Sequence, residues 1–122
     1  MKEFIKISEA EGEQLDHLVA LALGWKIVMW GDTPVYMQAS GEGRFRSNVK
    51  DWKPSTNWAQ GGPIIESEGI DPDPMINDGG KPEAWCCFIG NISNSGDTLL
   101  IAAMRCFVSS KFEGLDDLLL LP

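Results

Sequence analysis

The chain has 122 residues, 43% of them hydrophobic and 23% charged, the length and mixture of one globular domain with a core of its own and not of a disordered chain. A formal charge of -8 repels phosphate backbones and argues against general DNA or RNA binding. Three cysteines, two of them adjacent at Cys86 and Cys87, form no disulfide framework, and no apolar run is long enough to span a bilayer.

The opening Met-Lys-Glu-Phe-Ile-Lys lacks the apolar centre of a secretory signal. A soluble, cytoplasmic protein with reduced thiols and one domain over 1–122 is therefore expected. In chain order, Phe4, Ile5 and Ile7 predict a short opening strand. Ser8 and Glu11 fit a capping box ahead of a helix that runs to about Leu23. Leu15, Leu18, Val19 and Ala22 make its buried stripe, and Gly24 is a left-handed stop. His17 falls off that stripe, on the flank or exposed. Trp25 to Trp30 and Val35 to Ala39 predict a hairpin around Gly31-Asp32-Thr33-Pro34, closed off by Gly41-Glu42-Gly43. Arg44 to Asn57 has no clear period and reads as loop with some extended structure.

Pro63 suits the first position of a short helix that ends at Gly69, because its missing N–H has no helical partner there. Pro72 and Pro74 restrict Ile70 to Ile76 to an edge strand or loop. Asn77-Asp78-Gly79-Gly80 is a turn, Trp85 to Ile89 a strand, and Asn91 to Gly96 a loop. The last helix is capped by Asp97 or Thr98 and runs to about Glu113, with Gly114 as stop. Leu100, Ile101, Met104, Phe107, Val108 and Phe112 form its apolar face. The opposite side carries small residues, Ala102, Cys106, Ser109 and Ser110, so another element or another subunit should cover it. Leu115 to Pro122 is either a docked edge strand or a sticky end that needs a partner.

Two stretches, Trp52 to Ile70 and Gly96 to Phe112, resemble the NinX-like proteins of tailed phages. Ser8-Glu9 and Leu15-Asp16 followed by Val19-Ala20 resemble the start of the same family. The opening helix followed by Gly24-Trp25 is similar to a broader group of small phage α-β-α sandwich domains. The resemblance implies a phage or prophage origin, a bacterial host cell and an α/β sandwich. It implies no activity and carries over no catalytic residues. Where that family tends to place Pro after the Thr cap, this chain has Leu99, which alters helix initiation slightly.

No constellation for nucleophilic catalysis stands out. The single histidine, His17, lies in no recognisable motif, and an inert surface position is its preferred reading. Cys86 and Cys87 point to opposite faces of a strand and cannot easily share a metal. Asp71, Asp73, Asn77 and Asp78 have the wrong spacing for a calcium loop. Arg44, Arg46, Lys50 and Lys53 read as a solvated loop before a phosphate-binding patch. Gly61-Gly62-Pro63 opening a helix offers N–H groups to an anion but matches no phosphate fingerprint.

The densest run of recognition residues is Trp52, Ser55, Thr56, Asn57, Trp58, Gln60, Gly61 and Gly62. Tryptophan faces beside amide and hydroxyl groups suit ligand binding. The competing reading, preferred here, makes Trp52 and Trp58 core plugs and Ser55 to Asn57 turn braces. The expected fold is α+β, a mainly antiparallel sheet of about four or five strands packed with two major helices and one short helix. The expected role is a phage accessory protein without enzymatic activity or cofactor. It would bind a host or phage protein, or a second copy of itself. A small-ligand or nucleotide-binding module at the Trp52–Pro63 loop is the alternative.

Overall fold

A computed structural model describes residues 3–40, 43–112 and 117–120. The expected hairpin end at Gly41-Glu42, the helix stop at Glu113-Gly114, and Leu115, Leu121 and Pro122 of the tail lie outside the described residues. Strand β1 (Glu3–Lys6) leads into a 3-10 turn over Ile7–Glu9. Helix α1 (Gly12–Ala22) follows. The capping box does not form: Ser8 lies inside the 3-10 turn, and Glu11 occupies the N-cap position without a side-chain cap bond. The expected stripe is present, with Leu15, Leu18 and Val19 fully buried, each worth about 1.5–3 kcal/mol over exposure.

Strands β2 (Trp25–Trp30) and β3 (Thr33–Gln38) form the expected hairpin. Its turn is only Gly31-Asp32, with φ +64° at Gly31, the glycine-first geometry that matches strand twist. Strand β4 (Phe45–Asn48) then pairs with β3, completing a sheet in the order β2-β3-β4. A 3-10 turn over Val49–Asp51 and a loop lead to helix α2 (Trp58–Glu68).

Helix α2 begins five residues before the expected start. Asn57 Oδ1 accepts from the Ala59 N–H at 2.8 Å, so an Asn cap and not Pro63 sets the N-terminus. Pro63 therefore sits inside the helix. Gly69, at φ +63°, ends it, and the Ile70 N–H bonds the Ile65 carbonyl at 3.0 Å in a Schellman arrangement. The buried Gly61 has a packing reason. A Cβ there would drive into the Pro54 carbonyl and come within 2.7 Å of Leu100 Cδ2.

Strands β5 (Asp71–Ile76), β6 (Pro82–Ile89) and β7 (Ile92–Gly96) make a second antiparallel meander. The prolines sit on β5, an edge strand, as their missing N–H groups require. Asn77 Oδ1 closes the turn by accepting from the Gly79 and Lys81 N–H groups. Helix α3 (Leu99–Lys111) is capped by Thr98, whose Oγ1 accepts from Ile101 N at 3.1 Å. Strand β8 (Asp117–Leu120) pairs antiparallel with β1, Glu3 opposite Leu120, so this part of the leucine-rich tail is a docked strand.

Among the described residues, the expected single sheet of four or five strands is thus replaced by two three-stranded antiparallel sheets, a two-stranded pair and three helices. Phe45–Asn48 is a strand within the stretch read as loop with some extended structure, and Ile92–Gly96 is a strand where a loop was expected; both are mostly polar, and each completes a separate meander. Helix α2 is as long as α1. Helix α3 packs on the β5-β6-β7 sheet and also on α1 and α2. Its small residues Ala102, Ala103 and Cys106 are fully buried, so other elements of the same chain cover its second side. Leu15, Leu18, Ile64, Cys87, Met104 and Phe107 meet in the core between these layers.

Overpacking costs about 1–3 kcal/mol, and Gly→Ala in a helix gains up to about 1 kcal/mol. Gly61→Ala should therefore destabilise the protein in denaturant unfolding. Gly62→Ala, where a Cβ meets nothing nearer than 3.8 Å, should leave stability unchanged or raise it.

Candidate functional site

Helix α1 turns three polar or flexible residues, Glu13, Asp16 and His17, toward the β2-β3-β4 sheet and the loop ahead of α2. Between them lies a cavity of about 580 Å³, a size typical of small-ligand sites. His17, Tyr36, Trp52, Lys50, Lys53 and Thr56 are among its walls.

Asp16 is the joint of this region. It is only 5% exposed, and its Oδ1 accepts from the Ser55 N–H at 2.8 Å. Its backbone carbonyl accepts from Trp52 Nε1 at 3.1 Å. One residue of α1 thus holds the loop at two points, and a buried carboxylate gains the partner it needs. Burial pushes the Asp16 carboxyl above its ordinary value, opposed by the Ser55 hydrogen bonding and by Lys53. The Ser55 hydroxyl is close enough to the carboxylate to favour its charge but makes no hydrogen bond of normal geometry.

His17 Nδ1 and Tyr36 Oη share a hydrogen bond of 2.9 Å, and their rings stack at 6.0 Å. Tyr36 is buried. Burial, reinforced by the Asp16 charge, raises its hydroxyl to about 12, so it remains a neutral phenol. Burial lowers His17 below its ordinary value. The pair therefore presents neutral hydrogen-bonding groups to the cavity at physiological pH. Behind it, Trp25 packs at 6.0 Å from Tyr36 and 4.6 Å from Trp52, with the Arg46 guanidinium 6.0 Å from the Trp25 ring. This aromatic row fixes the sheet against the loop.

The residues singled out in the sequence divide into two groups. Trp52 and Thr56 line the cavity. Ser55 braces Asp16, and Asn57 caps α2. Gln60 clamps the loop, accepting from the Lys53 N–H and donating to the Asp51 carbonyl. Gly61 and Gly62 lie within α2, and the Gly61 N–H already bonds the Asn57 carbonyl at 2.9 Å. The pair does not open the helix, and Gly61 has no free N–H to offer an anion. Trp58 is 57% exposed, not a core plug. It borders a separate hollow of about 250 Å³ against Thr98 to Ile101.

Sequence reasoning missed Asp16, His17, Tyr36, Lys50 and Lys53 as a group. The available signal was Asp16 itself, a carboxylate set between Leu15 and Leu18 of the apolar stripe. Among the described residues, no group of three or more His, Cys, Asp or Glu side chains is placed to hold a metal ion. No helix there is long and apolar enough to cross a membrane.

A protein-family model described as "Bacteriophage P22, NinX" matches residues 6–111. The chain belongs to this NinX family. Membership makes it a phage accessory protein, and the match spans α1, the loop with Trp52, α2 and α3. No curated protein matches the chain. In this NinX-family protein, the stretch Trp52 to Ile70 is where α1, the loop and α2 interlock.

The His17 shift has a definite sign. The folded state binds the proton less tightly than the unfolded chain, whose ordinary value is 6.5. The His17 contribution to stability is therefore present above pH 6.5 and is lost as pH falls below it toward the folded value. Denaturant unfolding should show the protein losing stability relative to His17→Gln over that interval. The comparison cancels the opposite contribution of Asp16, whose raised value favours the fold at lower pH.

Proposed function

We propose that this phage accessory protein is a small-ligand-binding module and that its cavity takes a planar, anionic ligand. The observation that carries the reading is the cavity of about 580 Å³ between α1, β3 and the loop. Trp52 and His17 supply flat ring surface, with the buried Tyr36 behind His17 fixing its ring through the Oη–Nδ1 hydrogen bond. Lys50 and Lys53 at the same cavity supply cationic donors for a carboxylate or phosphate. Asp16 is committed to the Ser55 N–H, which leaves Glu13 as the carboxylate that limits the anion's fit. Nothing in this arrangement requires a reaction: His17 and Tyr36 are engaged with each other and serve as recognition groups.

A protein-interaction role is the second reading. It rests on Met29, Trp30 and Phe45, which are 60%, 63% and 46% exposed, an apolar surface of the kind that partners cover. The tail gives it less support, because Asp117–Leu120 is already paired.

A thermal-shift panel of nucleoside monophosphates, aromatic carboxylates and their neutral analogues tests the ligand reading. A ligand at a hundredfold excess over its Kd stabilises the native state by about 2.7 kcal/mol, a shift of several degrees in Tm for a domain this size. The anionic members should produce a saturable shift that Lys50→Glu, at an exposed lysine of the cavity, weakens without lowering the unliganded Tm. A flat response across the panel would sink the ligand reading and leave the protein-interaction one.

A further inference from the structure

The cavity holds a carboxylate and a cation that do not reach each other. Glu13 of α1 and Lys50 of the 3-10 turn after β4 both line it, and both are exposed. Asp16 on the α1 wall is taken up by the Ser55 N–H, and Lys53 lies close enough to Asp16 to favour its charge. Among the described residues, the one ion pair joins Lys111 and Glu68, so Glu13 is paired with neither Lys50 nor His17. One cavity therefore offers an acceptor on its helix wall and a cation on its loop wall, with the Trp52 and His17 rings in the same lining.

We infer that this cavity selects a guanine mononucleotide, Glu13 accepting from the base and Lys50 meeting the phosphate. The inference rests on the ligand reading proposed above and adds the part of the ligand that Glu13 recognises. A carboxylate offers two acceptor oxygens and no donor. Guanine meets it with two adjacent donors, N1–H and the 2-amino group. Adenine and cytosine set a ring-nitrogen acceptor beside their amino group, and uracil holds its single N–H between two carbonyls. Each of these turns an acceptor toward the carboxylate. An aromatic amino acid fits less well, because its ammonium and carboxylate share one carbon and do not reach two walls. In a nucleotide the base edge and the phosphate lie at opposite ends, with a flat ring between them for Trp52. A mononucleotide, not a strand, suits a chain of charge -8, which repels additional phosphates.

Titration calorimetry of the full chain with GMP, AMP and inosine monophosphate at one ionic strength tests this. All three carry the same phosphate, so their differences read the base edge. GMP should bind about tenfold more tightly than AMP, the discrimination that two bonds to a base edge give. Inosine monophosphate, which lacks the 2-amino group, should fall between them. Glu13→Gln should weaken GMP about tenfold and strengthen AMP, because it removes a negative charge and supplies an amide donor to adenine N1. A merely structural role for Glu13 would weaken both nucleotides together. Nucleotides that bind without preference for GMP, or a Glu13→Gln variant that loses both alike, overturn the guanine assignment and leave the ligand reading standing. So does a guanine trinucleotide that binds more tightly than GMP. No binding by any nucleotide, with aromatic carboxylates still shifting Tm, also overturns the assignment alone, whereas no response to any anion overturns both.

Discussion

The fold depends on burying α3 from two sides at once. A helix with one core face tolerates charge on the other. α3 instead lies between the β5-β6-β7 sheet and the pair α1 and α2. Close approach from both sides needs small side chains, and Ala102, Ala103 and Cys106 meet that requirement. Glycine serves the same end in the neighbours. A Cβ on Gly96 would stand 2.8 Å from the Ala102 N–H, and one on Gly61 would meet Leu100. The one arginine of α3, Arg105, reaches out of the packed zone to the carbonyls of Ala10 and Ser95, each at 2.8 Å. It thereby ties the segment before α1 to the end of β7.

That packing leaves one side of α1 for another use. The residues facing α3 are apolar. Those facing the β2-β3-β4 sheet include Asp16 and His17, whose partners come from residues 19 to 39 positions away. The desolvation of Asp16 is tolerable only because a loop N–H is delivered to it. The loop holds its shape through Gln60 and the Asn57 cap. Cavity, cap and clamp therefore form one unit: the cavity wall is rigid because a helix start is fixed elsewhere.

Local patterns in the sequence revealed the elements whose signal is local. The α1 stripe, the Gly31-Asp32 hairpin, the proline-marked edge strand and the small-residue side of α3 were all legible from spacing. The polar strands β4 and β7 were not, because their strand character comes from a neighbour and not from alternating apolar residues. The start of α2 was misplaced because proline at the first helical position competed with asparagine as a cap, and the cap won. The cavity was half legible. Trp52 and Thr56 stood out by residue type, whereas His17 was read as a surface residue because its partner Tyr36 is distant in sequence.

The two adjacent cysteines have a consequence for how this protein can be handled. Alternation on β6 puts Cys87 in the core and leaves Cys86 half-exposed. Burial raises the Cys87 thiol to about 12 and the Cys106 thiol to about 11. In the native state these two thiols are protonated and screened from reagents, since the thiolate is the reactive form. Only Cys86 is then open to a thiol-reactive probe. Neighbours in the chain become a matched pair of chemical reporters: one accepts a label on the intact sheet, and the other stays silent until that sheet comes apart.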